Sequence, residues 1–248
     1  MHTTRRLFAL GLVSAAVLGG SAQAWSWSNK GERIVGNGDV ATEARSTGSF
    51  DSVSLAGGFN VLIRQGTGHK VEVKADRNVL PYIEAELDGR TLRIQPRKGF
   101  HLSTKTLPSL TLEMPSLRAL SVAGSGNIKV EAMKTEGVEA AIAGSGDIRF
   151  GNLDAERLVV KVSGSGGFTA TGRAPQATIS IAGSGDVKAA DFAAEEVKVS
   201  IAGSGDAQVQ ATKTLKVSIA GSGDVKYVGA PEISSSIAGS GKVRRFER

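Results

Sequence analysis

Residues 181–187 read Ile181-Ala182-Gly183-Ser184-Gly185-Asp186-Val187, and the chain repeats this stretch. The tripeptide Gly-Ser-Gly begins at Gly124, Gly144, Gly164, Gly183, Gly203, Gly221 and Gly239, at spacings of 20, 20, 19, 20, 18 and 18 residues. That period suits one coil of a solenoid. The residues flanking each repeat alternate. Val138, Ala140 and Ile142 fall on one face and Glu139, Ala141 and Ala143 on the other; beyond the turn, Ile148 and Phe150 return to the first face. Leu158, Val160 and Val162, then Val197, Val199 and Ile201, then Leu215, Val217 and Ile219 follow the same rule. A period of two specifies strands. Leu153 to Leu158 comes nearest to a helical stripe and is shorter than a stable helix needs.

These observations predict an all-β, right-handed parallel β-helix-like solenoid with GSG repeats of 18–20 residues, its coils stacked about 4.8 Å apart. The seven glycines named above are the structural turns, at least one of each pair at positive φ. Ile142, Val162, Ile181, Ile201, Ile219 and Ile237 are expected to form an apolar ladder inside. A β-sandwich is the rival for short strands at regular spacing, but its hairpins would not require one corner sequence every time.

Upstream the pattern loosens. Val35-Gly36-Asn37-Gly38-Asp39-Val40 and Val53 to Ile63 look like worn copies of the unit. The 67 residues from Gly57 to Gly124 would hold about three coils, which would start the solenoid near residue 33. Val71 and Val73 mark a half-buried strand, Asp76 to Pro81 a turn or short helical excursion, and Asp88-Gly89 a turn. Pro96 to Thr106 is polar and basic and is expected to be a surface loop. The resulting organisation is a signal peptide over 1–24, a linker over 25–32, an irregular N-terminal β lobe over 33–106 and a regular GSG-repeat solenoid over 107–248.

The signal peptide rests on Arg5 and Arg6, the apolar or small run Leu7 to Gly20, and the small-residue site Ala22-Gln23-Ala24. Its apolar run is too short to span a bilayer, and no later segment is apolar long enough to do so. An exported protein is expected, with the periplasm as its compartment ahead of the cell surface or secretion. The chain has no cysteine, so neither disulfides nor thiolate metal sites hold it together. Removing the two leader arginines lowers the formal charge from +6 to +4. That modest, interspersed charge gives no reason to expect a nucleic-acid partner.

The repeats at Gly124–Ile128, Gly144–Ile148, Gly183–Val187 and Gly221–Val225 are accompanied upstream by Phe50-Asp51-Ser52-Val53, VLIRQG from Val61, VEVKADRNVL from Val71, and Leu92-Arg93-Ile94. In that order they resemble the head GIN domain family of auto-transporter adhesins, over roughly residues 33–245. The resemblance implies an exported bacterial envelope protein with a β-helix-like fold in two lobes. It implies no defined reaction.

The position after each repeat forms a column of Asn127, Asp147, Gly167, Asp186, Asp206, Asp224 and Lys242. Asp147, Asp186, Asp206 and Asp224 are candidate calcium ligands, because repeated Asp beside glycine-rich turns suits that ion. Calcium wants several oxygens per ion, however, and each coil supplies one carboxylate. The favoured reading is that each Asp or Asn accepts a backbone N–H at the corner, as in an Asx-turn. The seven repeat serines have no accompanying base and are not nucleophiles. His69 and His101 stand in polar stretches without ligand spacing.

No catalytic, cofactor-binding or firm metal residue emerges, and the protein is expected not to be an enzyme. The functional expectation is a non-catalytic cell-envelope protein, adhesin-like or scaffolding, that presents a rigid β surface to a polymer or protein. The alternatives are a polysaccharide-active β-helix enzyme and a calcium-binding envelope module. Partners consistent with this are an envelope protein, a surface polysaccharide or a second copy of the chain. Lys242, Arg244, Arg245 and Arg248 would guard the last strand edge by repulsion.

Overall fold

The computed structural model describes residues 31–246. The signal peptide and linker residues up to 30, together with Arg248, lie outside the described residues. The chain opens with β1 (Glu32–Val35), β2 (Val40–Arg45), β3 (Ser52–Ala56), β4 (Asn60–Gln65) and β5 (Lys70–Asp76). A 3-10 turn at Leu80–Tyr82 leads to β6 (Ile83–Asp88), β7 (Thr91–Pro96), β8 (Phe100–Ser103), β9 (Ser109–Met114) and β10 (Ala119–Gly124). The long coils are β11 (Asn127–Gly144), β12 (Asp147–Gly164), β13 (Gly167–Gly183), β14 (Asp186–Gly203) and β15 (Ala207–Gly221). The last coil is split into β16 (Val225–Val228) and β17 (Glu232–Gly239), and β18 (Val243–Arg245) ends the stack.

The coils form a parallel solenoid of about six turns. Each pairs in register with the next, so that Ile142 lies beside Val162, Val162 beside Ile181, Ile181 beside Ile201, and Ile201 beside Ile219. All five side chains are buried. Alternation places them there: every second residue of a strand faces the same side, and enclosing that side removes its apolar surface from water. The Phe150 and Phe168 rings continue the filling at 6.0 Å between centroids.

The GSG corner shows why its glycines recur. Gly144 sits at φ 123°, a region side chains rarely adopt. Two residues on, a Cβ at Gly146 would lie 2.2 Å from the Gly126 carbonyl oxygen of the coil beneath. The first glycine makes the turn and the last lets successive turns stack. Between them, Ser145 N–H donates to Gly124 O at 2.9 Å, and Ser165 N–H to Gly144 O at the same distance.

The N-terminal part departs from expectation. Gly57 and Gly124 occupy adjacent rungs: β3 pairs directly with β10, and Gly57 N–H donates to Ala123 O at 2.9 Å. The intervening residues build no three further coils. They add one further rung, β7 and β9, paired in parallel with β3 and β4, and antiparallel strands, β5 on β9, β6 on β7 and β2 on β5, then edge this end of the stack. The outermost parallel rung is therefore β7 and β9, which lies beyond β3 and β4 in space though it follows them in sequence, and the Gly36–Val40 copy is no solenoid corner. The expected loop at 96–106 contains β8, which pairs in parallel with β1 as a separate two-stranded sheet. Asp51 anchors this end. It is 4% exposed and accepts hydrogen bonds from Arg90 Nε at 2.7 Å and Ser52 Oγ at 2.9 Å. Burial pushes its carboxyl up, but those bonds and the charges of Arg90 and Arg118 outweigh it and hold the group below its ordinary range.

At the opposite end the inner ladder breaks. Ile237 pairs beside Ile219 but is 40% exposed, since among the described residues no strand pairs with the outer edge of β17.

Candidate functional site

The aspartate column does not cap its own corners. Asp147 Oδ1 accepts the N–H of Gly167 at 2.9 Å, Asp186 Oδ1 that of Asp206 at 3.2 Å, and Asp206 Oδ1 that of Asp224 at 2.8 Å. Asp224 Oδ1 accepts the N–H of Lys242 at 2.9 Å. Each carboxylate thus reaches one coil onward, and the local Asx-turn reading is corrected to a bond between coils. The cause is stacking, which brings the next coil's N–H within hydrogen-bond reach of the side chain. Lys242 fits this rule, since no later rung offers it an N–H. Asn127, at the other end, donates from Nδ2 to Asn60 Oδ1 at 3.1 Å. Arg244 also bonds Asp224 and, as the leading cause, holds that carboxyl low. Among the described residues no group of three or more His, Cys, Asp or Glu side chains is placed to hold a metal ion.

His69 Nε2 lies 3.0 Å from the Phe50 carbonyl oxygen, and its ring packs edge-on against Phe50. His101 sits in β8, paired with Arg33.

A concavity lies at the second corner of the coils, opposite in sequence phase to the GSG turns. It is an open groove of about 730 Å³ that crosses β11 to β15. Its floor is made of small residues: Ala155, Ala174 and Ala194 are buried, with Ala174 beside Ala194 and Ala194 beside Ala211. Its rim carries both signs of charge, with Lys134 and Arg173 among the acids Glu136, Asp154, Glu156 and Glu195. Lys134 lies beside Asp154 and Asp154 beside Arg173, while Glu195 on the following coil pairs with Lys213. Arg173 holds Asp154 by two bonds, Nε to Oδ1 at 3.2 Å and Nη2 to Oδ2 at 2.9 Å. That pairing is the main reason Asp154 is held low and Arg173 high. A depressed, bidentate carboxylate suits ion pairing and is the opposite of what a proton donor requires.

Register is unbroken at the GSG corners and shifts only near this groove, at Phe150/Leu153, Thr169/Thr171, Ala189/Ala193 and Ala194/Glu196. The differences in repeat length are therefore absorbed at one corner. Bulges of this kind re-aim side chains, and they leave each coil's rim residue free to differ. None of the groove residues was singled out from the sequence. The available signal was a near-constant offset: Lys134 and Asp154 stand 10 residues after Gly124 and Gly144, and Arg173 stands 9 after Gly164.

The fold has solved counterparts. The chain is similar to the crystal structure of a "putative adhesin" from Bacteroides fragilis, at TM-score 0.80 and 24% identity over 86% of this chain and 100% of the other. It is similar to that of a "putative lipid binding protein" from Parabacteroides distasonis, at TM-score 0.74 and 30% identity over 87% and 100%. A "putative adhesin" from Parabacteroides merdae aligns at TM-score 0.70 and 22% identity, again over 87% and 100%. Among curated proteins none matches the chain. With its stacked GSG coils and a family profile that matches residues 49–231, this chain belongs to the head GIN domain family, described as "Putative auto-transporter adhesin, head GIN domain".

Proposed function

We propose that this is a non-catalytic, exported cell-envelope protein that uses its rigid solenoid to hold an extended polymer, a surface polysaccharide or a segment of another envelope protein, along the groove of β11 to β15. The observation that carries this reading is the groove's direction. It runs across successive coils, with a buried alanine floor and a rim of mixed charge. A stack of parallel strands deforms little, so such a rim can offer repeated polar contacts to a repeating ligand without an ordering penalty on the protein side. The periplasm, reached by the leader read at 1–24, is the compartment this reading assigns. Membership of an adhesin family supports a binding role at the envelope. No helix among the described residues is long and apolar enough to cross a membrane.

A lipid ligand is the second reading, favoured by the name of the Parabacteroides distasonis protein that is 30% identical. Affinity electrophoresis through gels containing purified cell-wall or capsular polysaccharide separates the two, run beside flotation with phosphatidylglycerol vesicles. The polymer reading expects retardation of the wild type that is lost in Lys134→Glu and Arg173→Glu. Equal mobility of all three proteins in every gel would sink it, and flotation that depends on the same residues would install the lipid reading.

A further inference from the structure

The two ends of the solenoid are built differently, and the difference identifies a partner. At the N-terminal end the sheet closes through antiparallel strands whose outer edges are charged: β6 carries Glu84, Glu86 and Asp88, and β2 carries Glu43 and Arg45. Charged residues on an edge strand are a standard means of blocking edge-to-edge pairing. At the C-terminal end two edges lie open. β18 is three residues long and bears Arg244 and Arg245, which guard it in the same way. β17 has no such protection. Among the described residues it pairs with β15 on one side only, and all eight of its residues are exposed. Between Glu232 and Gly239 it carries no charge and no proline.

The sequence of this edge is its own mirror. Ile233-Ser234-Ser235-Ser236-Ile237 is palindromic about Ser235. We infer that β17 is the seam of a two-fold homodimer, in which two copies join their open ends through an antiparallel β17–β17 ladder centred on Ser235. In that register Ile233 lies opposite the Ile237 of the second copy and Ser234 opposite its Ser236, while Ser235 meets its own counterpart on the axis. Residues 233, 235 and 237 share one face of the strand. In the preceding rungs that face is the interior, since they pair beside buried Leu215, Val217 and Ile219. The junction therefore runs one apolar core into the other and covers Ile233 and Ile237, now 41% and 40% exposed. Ser235 stands where the earlier rungs hold Val217, Val199 and Ile179. On the axis its hydroxyl gains a matching hydroxyl, a favourable cross-strand pair.

Charge selects the antiparallel sense. A parallel ladder would set Glu232 against Glu232, whereas the antiparallel one turns each Glu232 toward the end at which the other chain runs on into Lys242. Symmetry also limits the assembly. An isologous contact closes on itself, and among the described residues the charged β2 and β6 edges discourage a second seam in the main sheet.

The chain has no cysteine, so one engineered thiol gives an unambiguous test. Ser235→Cys is expected to form a disulfide-linked dimer on mild oxidation, because residues facing each other across the axis come within bonding range. Ser218→Cys, exposed one rung back, is expected to stay monomeric on a denaturing gel. Sedimentation velocity should show a dimer for the wild type and its loss in Ile233→Lys and Ile237→Lys, with circular dichroism spectra unchanged because both side chains are already exposed. A wild type that stays monomeric at all concentrations overturns the inference. So does an open-ended series of oligomers, a dimer that survives both lysine variants, or cross-linking at 218 as fast as at 235.

Discussion

Asp206 Oδ1 accepts the backbone N–H of Asp224, one whole coil further along the chain, at 2.8 Å. The carboxylate thus ties neighbouring coils together at the corner where both chains turn. If that bond is its role, Asp206→Asn should be nearly neutral, whereas Asp206→Ala should lose about 0.5–1.5 kcal/mol, the net worth of one such bond. Thermal melts in millimolar calcium and in EDTA should coincide. A midpoint that rises with calcium in the wild type but not in Asp206→Ala would assign the column to the ion.

The inner ladder makes a positional prediction. Ile201 is 1% exposed, and Ile201→Asp would place a carboxylate without a partner between two apolar rungs. Destabilisation by several kcal/mol is expected. Ile237→Asp, at the open end, should lower the melting midpoint of the dilute protein far less. Equal effects at the two sites would contradict the assigned burial.

The corner glycines differ in kind from those in loops. An added Cβ at Gly146 would press on the Gly126 carbonyl, and Gly146→Ala should destabilise by about 1–3 kcal/mol, the usual scale for overpacking. At Gly68 nothing lies within 4 Å of an added Cβ, so Gly68→Ala should be close to neutral. Urea unfolding of the pair gives the comparison directly.

Asp51 sets an acid limit on the closed end. Its folded pKa lies below the ordinary value of 3.8 despite burial, because Arg90, Ser52 and Arg118 favour the ionised form. A group lowered on folding stabilises the protein fully above 3.8 and loses that contribution as pH falls through its folded value. Asp51→Asn should therefore be less stable than wild type at neutral pH by about 1–3 kcal/mol. The gap should close on acidification below 3.8. A gap independent of pH would show that shape, and not charge, is what Asp51 supplies.

Much of the architecture was legible because it is written in near neighbours. Val197, Val199 and Ile201 alternate with Lys198 and Ser200, and the period alone assigns the buried face. The upstream copies misled for a physical reason. Val53 to Ile63 does form a rung, but the segment after it contributes one more parallel rung, β7 and β9, among antiparallel strands, and a length of 67 residues cannot distinguish that from three coils. The groove was hidden because Lys134, Asp154, Arg173 and Glu195 share no motif, and the register shifts at that corner blur the offset that relates them.

By itself, then, the sequence determined the strand period, the repeating corner and the apolar interior of each coil, since these depend on residues a few positions apart. Only the tertiary structure decided that Gly57 lies beside Gly124, that each aspartate bonds the coil after its own, and that one end is closed while β17 is left open. Those relationships depend on which rung lies next in space. Coil stacking sets that, through backbone hydrogen bonds between residues about twenty positions apart or, across the excursion, 67.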